Sequence, residues 1–263
     1  MKNIYKAYVW HHAQQTPAIN YKTLTTFHLL MRSTLTAIAL ITLSTTGAAF
    51  AAESICYGTT ANGRLENGVK LPTEGSNFTA YSSLGTTLGR TYAHSKVAEI
   101  VLTAYQALEQ SAPGKYFVYG ETGWSTGGLF KPHRTHKNGL SVDFFVPVVD
   151  AAGRSIPLPS SVSNKFGYNI DFDANAKYQD YTIDFEALAE HLYQLDVAAK
   201  GRSADIARVI FDPPYLPKLF ATKRGIYLKA NLNFMKGKAW VRHDEHYHVD
   251  FSVPCKPIGV SAR

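Results

Sequence analysis

Two short segments hold five of the ten histidines in this chain: HRTHKNGLSVD, from His133 to Asp143, and HDEHYHVDF, from His243 to Phe251. Imidazole and carboxylate groups are ligands of tetrahedral zinc sites, and a catalytic site of that kind keeps one position open for water. Together the segments supply a histidine, an aspartate, a second histidine and a spare acid, enough for a hydrolytic zinc centre. Asp143 is the most telling residue. It sits among Val142, Phe144 and Phe145, and an acid in so apolar a stretch needs a partner to offset its desolvation.

The elements that must position these groups follow from the same residues. Residues 140–148 and 246–253 read as strands. Alternation sends His246, His248, Asp250 and Ser252 to one face, and Tyr247, Val249, Phe251 and Val253 to the other. In the earlier strand Asp143 shares a face with Ser141 and Phe145, while Val142, Phe144 and Val146 face away. His136 precedes that strand, and Gly139 lets the chain turn into it. A histidine on the loop and an aspartate on the strand can then meet one ion, and if the two strands are neighbours His248 completes three ligands. Alternation turns Glu245 away from His248 unless a bulge or the strand start brings it into the cleft.

The remaining segments supply the frame. Residues 96–108 predict a helix from the spacing of Val97, Ile100, Val101, Ala104, Tyr105 and Leu108. Residues 184–199 predict another, with Asp184 as N-cap. Residues 116–119 read as a strand followed by a glycine-rich loop through Gly128, and residues 207–211 as a buried strand. Pro213-Pro214 opens a short helix, where missing N–H groups do no harm. Asn62-Gly63 and Asn67-Gly68 mark tight turns. His94 and His191 fall on predicted helices outside the clusters and read as structural. Helices and strands mix without regular alternation, which points to an α+β fold, a single domain with a central antiparallel sheet carrying the zinc site and helices packed around it.

Residues 1–51 read as an N-terminal extension plus a secretory signal peptide, with the domain itself spanning 52–263. Met31 opens a basic start at Arg32, an apolar stretch through Leu43 and an A-x-A site at Ala49-Phe50-Ala51, so Met31 is a candidate true start. The apolar part is too short to span a membrane, and no membrane anchor is expected. The net charge of +7 falls to +3 once the four Lys/Arg of residues 1–51 are removed. No basic run interleaves with aromatics, so nucleic acid is not an expected partner. The two cysteines, Cys56 and Cys255, suit one disulfide in an exported chain, pinning the two ends of the domain together.

The paired motifs resemble those of the LAS metallopeptidases, the group of lysostaphin-type enzymes, D-alanyl-D-alanine metallopeptidases and the sonic-hedgehog-like fold. The resemblance is strongest to the penicillin-insensitive murein endopeptidases. Those pair H-x-x-H-x-x-G-x-x-x-D with H-x-x-H-x-H, read here as His133, His136, Gly139 and Asp143, then His243, His246 and His248. Looser matches lie in NGRLENGVKLP, in Gly127-Gly128 and in RVIFDPPYLPKLF, so the likeness covers most of residues 55–255. It implies one zinc ion held by His136, Asp143 and His248. His246 would then lie beside the ligands or take part in catalysis, and His133 and His243 would line the site, with Ser141 alongside. Asp171 and Asp173 are the acids available toward a second metal, but no clear matching histidine accompanies them. Glu245 departs from the pattern: it creates E-x-x-H, the spacing of the general base in the dipeptidase and carboxypeptidase branch. The base is therefore either Glu245 or His246, with His133 placed to hydrogen-bond an oxyanion.

These readings converge on a periplasmic zinc endopeptidase, a monomer or simple homo-oligomer, that hydrolyses D-alanyl–diaminopimelate cross-links in peptidoglycan. Two alternatives share the same residues: a D,D- or L,D-carboxypeptidase that trims stem peptides, and a zinc-bearing wall-binding protein without turnover.

Overall fold

The computed structural model describes residues 52–237, 239 and 241–259; the predicted signal peptide lies outside them. At its centre is a five-stranded sheet in the order Asp205–Ile210, His246–Ser252, Ser141–Phe145, Phe117–Tyr119, Phe78–Ala80. Neighbours are antiparallel except the last pair, which is parallel. The α+β expectation and its single domain hold for the described residues.

The two long helices, Ser95–Ser111 and Phe185–Lys200, form as the apolar spacing requires. His94 caps the first through Nδ1, which accepts the Lys96 N–H (3.1 Å). Asp184 caps the second by accepting the Ala187 N–H (3.0 Å). The helices pack on each other and on the apolar face of the sheet. There the rings of Tyr105 and His191 stack at 5.0 Å, and Phe144 and Tyr247 stack across strands at 5.5 Å. Burying such side chains contributes roughly 1.5–3 kcal/mol each, which holds the opposite, polar face of the sheet in place.

Several boundaries differ from the sequence reading. The strand expected over 140–148 stops at Phe145 because Pro147 has no N–H for a ladder. Val148–Val149 instead joins a separate four-stranded sheet. Asn62 and Gly63 do not form the turn: they already pair with Thr59 and Gly58, so the hairpin reverses at Thr60 and Ala61. The Pro213-Pro214 segment opens as a 3-10 turn, Pro213–Tyr215, before the short helix Leu216–Phe220. Cys56 and Cys255 form the expected disulfide, 199 residues apart in sequence. No helix among the described residues is long and apolar enough to cross a membrane.

Candidate metal centre

The register of the two central strands builds the site. Tyr247 lies opposite Phe144 and Val249 opposite Val142, and this apolar set fixes the pairing. On the other face the same register sets His246 opposite Phe145, His248 opposite Asp143 and Asp250 opposite Ser141. His136 arrives from the preceding loop in a left-handed conformation (φ 66°). His136, Asp143 and His248 are all buried. His136 Nε2 lies 3.1 Å from His248 Nδ1 and 3.2 Å from Asp143 Oδ1, and His248 Nδ1 lies 2.8 Å from the same Oδ1.

The donor set fits a zinc ion. Bonds of about 2.1 Å in a tetrahedron separate ligand atoms by roughly 3.4 Å, close to these spacings. The outer nitrogen of each ring is also spoken for. His136 Nδ1–H donates to the Thr122 carbonyl (3.2 Å), and His248 Nε2–H donates to Asp250 Oδ1 (2.7 Å). Such outer acceptors fix the tautomer and turn the other lone pair inward. The Ser141 hydroxyl also donates to Asp250 Oδ1 (2.6 Å) and accepts the His136 N–H (3.3 Å). Burial disfavours charge on His248, but Asp250 and Asp143 outweigh it and raise its pKa to about 10, so metal uptake would release a proton. Burial likewise opposes the Asp143 carboxylate, yet the neighbouring His136 and His246 hold it well below its usual range.

A cleft of about 450 Å³ opens on this cluster. His246 presents Nε2 to it, 4.0 Å from Asp143 Oδ2, while its Nδ1 lies 2.8 Å from Glu245 Oε1. Glu245 precedes the first residue of the strand, so alternation does not bind it, and its side chain lines the cleft. Burial pushes Glu245 up to about 10 and His246 down to about 4, so their surroundings oppose charge on either group taken alone. His243 also lines the cleft, its ring 4.6 Å from that of His246, with burial pushing it down to about 3.

His133 places Nδ1 3.7 Å from Asp143 Oδ2 and Nε2 2.5 Å from Glu121 Oε2. One ligand atom from each of His133, His136 and Asp143 lies within 4.8 Å of the others, a group that could hold a metal ion. Asp171 reaches the cleft and pairs with Arg242 (3.1 Å). Asp173 is turned to its own loop, where Oδ1 accepts the N–H groups of Asn175 and Lys177 (2.8 and 2.9 Å).

Sequence reasoning assigned no role to three residues that hold the site. Asp250 was visible on the polar face of its strand, but its double hydrogen bond was not. Glu121 is buried and takes Arg90, the Tyr81 hydroxyl (2.8 Å) and His133. Burial favours its neutral form, but hydrogen bonds from Arg90 and His133 outweigh it and hold the pKa at about 2. Tyr168 accepts the Glu121 N–H (2.8 Å) and donates to Asp143 Oδ2 (3.0 Å), from a loop with no sequence signature.

Both histidine segments fall within the span of a known family. The sequence model described as penicillin-insensitive murein endopeptidase covers residues 56–259. The chain belongs to that family. It is therefore a peptidase of the murein endopeptidase type, for which peptidoglycan is the substrate. No curated protein matches the chain.

Proposed function

We propose that this murein endopeptidase is a zinc enzyme that hydrolyses D-alanyl–diaminopimelate cross-links in the periplasm. The observation that carries the reading is the convergence of His136 Nε2, Asp143 Oδ1 and His248 Nδ1, each histidine with its outer nitrogen held by an acceptor. Bound zinc would lower the pKa of a water to about 7 and polarise the scissile carbonyl. His136, Asp143 and His248 are the proposed ligands.

His246 is the group placed to move the proton. When Nδ1–H is donated to Glu245, Nε2 offers its lone pair to the cleft. His246 accepts the proton of the attacking water there and returns it to the leaving amine, while Glu245 holds the ring through its contact with Nδ1. A positioned acid/base of this kind contributes roughly 10²–10⁴-fold. His133, backed by Glu121, and His243 line the approach to the same carbonyl. Glu245 also reaches the cleft, which keeps a trimming carboxypeptidase as the second reading.

The test is residues 52–263 with purified cross-linked muropeptide dimers, with and without a chelator, read by mass spectrometry. Dimer converted to monomer, stopped by chelator and restored by zinc, is the expected result. Loss of a terminal D-alanine with dimers intact would replace it with the carboxypeptidase reading. Bound zinc without any product would point to a wall-binding role.

A further inference from the structure

The wall of the cleft formed by residues 161–170 carries a cation that the reaction above leaves unused. Lys165 and Phe166 are consecutive non-glycine residues in the left-handed region (φ 50° and 57°). That conformation is disfavoured for L-residues and persists only where the surroundings enforce it. Here Asn164 enforces it: Oδ1 accepts the N–H groups of Ser161 and Gly167 (both 2.9 Å), and Nδ2 donates to the Pro159 carbonyl (2.9 Å). The double turn sends the Phe166 ring against Tyr81 and leaves Lys165 lining the cleft.

The countercharges around the cleft are committed elsewhere. Glu121 is bound to Arg90 and His133, Asp143 to the histidines and Tyr168, and Asp171 to Arg242. Arg242 is itself held by Asp171, Asp244 and the Phe172 carbonyl. Among the described residues, no hydrogen bond or ion pair engages the Lys165 ammonium. The cleft that His246 also lines thus offers an uncommitted positive charge on Lys165. In a D-alanyl–diaminopimelate link, the carbon bearing the attacked amide nitrogen also bears a free carboxylate, so a substrate seated at the cluster brings a negative charge next to the scissile bond.

We propose that Lys165 is a specificity-determining residue that pairs with this carboxylate and so selects cross-links in which it is free over those in which it is amidated. The inference rests on the endopeptidase reading. It is tested with wild type, Lys165→Ala and Lys165→Arg on one muropeptide dimer in two forms, with that carboxylate free or converted to the carboxamide. Wild type should prefer the acid. Lys165→Ala should lose about 10- to 100-fold in kcat/KM on the acid, mostly through KM, as for loss of a hydrogen bond to a charged group. It should change little on the amide, and Lys165→Arg should recover most of the loss. Bound zinc per chain should be the same in all three. Equal losses on acid and amide, or no loss on either, would overturn the role of Lys165 while leaving the endopeptidase intact. Should wild type cut neither dimer, the endopeptidase reading fails, and Lys165 is judged by NMR titration with monomeric muropeptide in its acid and amide forms. Equal affinity of wild type and Lys165→Ala for the acid would then refute the pairing.

Discussion

Asp250 does not line the cleft, yet it holds the ring of a residue that does. One carboxylate oxygen takes both the His248 ring and the Ser141 hydroxyl, and the other takes Arg208 (3.1 Å from Nε). Replacing Asp250 by Asn removes the charge that orients His248, and zinc affinity should fall about 10- to 100-fold, measured by competition with a chromogenic chelator. Glu245→Gln should behave differently. It leaves all three proposed ligands in place, so zinc should stay bound while turnover drops by orders of magnitude; near-normal turnover would remove Glu245 from the mechanism. Behind the sheet, His191 is buried against Tyr105 and Tyr247, and burial pushes its pKa down to about 3 against about 6.5 when unfolded. The unfolded chain therefore binds the extra proton between those values. The contribution of a neutral His191 is complete above pH 6.5 and fades as pH falls toward 3, by about 1.4 kcal/mol per pH unit. His191→Phe should flatten this part of the pH–stability curve in urea unfolding, even though the Tyr247 hydroxyl loses its partner and neutral-pH stability drops.

At the scale of elements, the site is a by-product of strand pairing. The pairing of Tyr247 with Phe144 and of Val249 with Val142 satisfies the core, and that register alone sets His248 opposite Asp143. A slip of one residue would exchange the two faces. The loop that brings His136 depends on Gly139, which has φ 77°; a Cβ there would stand 2.7 Å from the backbone nitrogen of His94. That nitrogen donates to the Gly139 carbonyl (2.9 Å), so neither partner can move freely. Gly139→Ala should cost about 1–2 kcal/mol from the backbone conformation alone, and more from the clash. Zinc stoichiometry should fall along with the urea midpoint; unchanged stability would mean that the loop is not pinned there.

Across the whole molecule, the ends of the domain clamp the loop that carries His136. The Cys56–Cys255 bond joins the first hairpin to the chain that follows the last strand. The hairpin turn accepts the Lys137 N–H at the Thr60 carbonyl (3.1 Å), and the Asn138 amide reaches Cys255 Sγ (3.6 Å). Both contacts fall between His136 and Gly139. Cross-linking so long a loop restricts the unfolded chain, and loss of such a bond typically costs about 2–5 kcal/mol. The Cys56→Ser/Cys255→Ser double variant should show that loss in denaturation, together with weaker zinc retention. Stability within about 0.5 kcal/mol of wild type would count against the clamp.

Much of this was legible in the residues. Period-two alternation in HYHVDFS sorted core from site because strand side chains must alternate. The paired segments named the proposed ligands because zinc accepts few side-chain types. The two cysteines could be paired because there was only one way to do so. The rest lay in contacts between segments far apart in sequence. Nothing in the spacing of Glu121, Tyr168 and Lys165 announces that they share a cleft with His246; their places depend on how separate loops close over the sheet. Glu245 shows the same limit within a single segment: alternation sent it away from the cleft, and only the point at which the strand begins, fixed by packing, turned it in. Sequence by itself determined the chemistry available to the site, because that is set by residue type and local period. Tertiary structure alone decided which groups support it, because that is set by long-range packing.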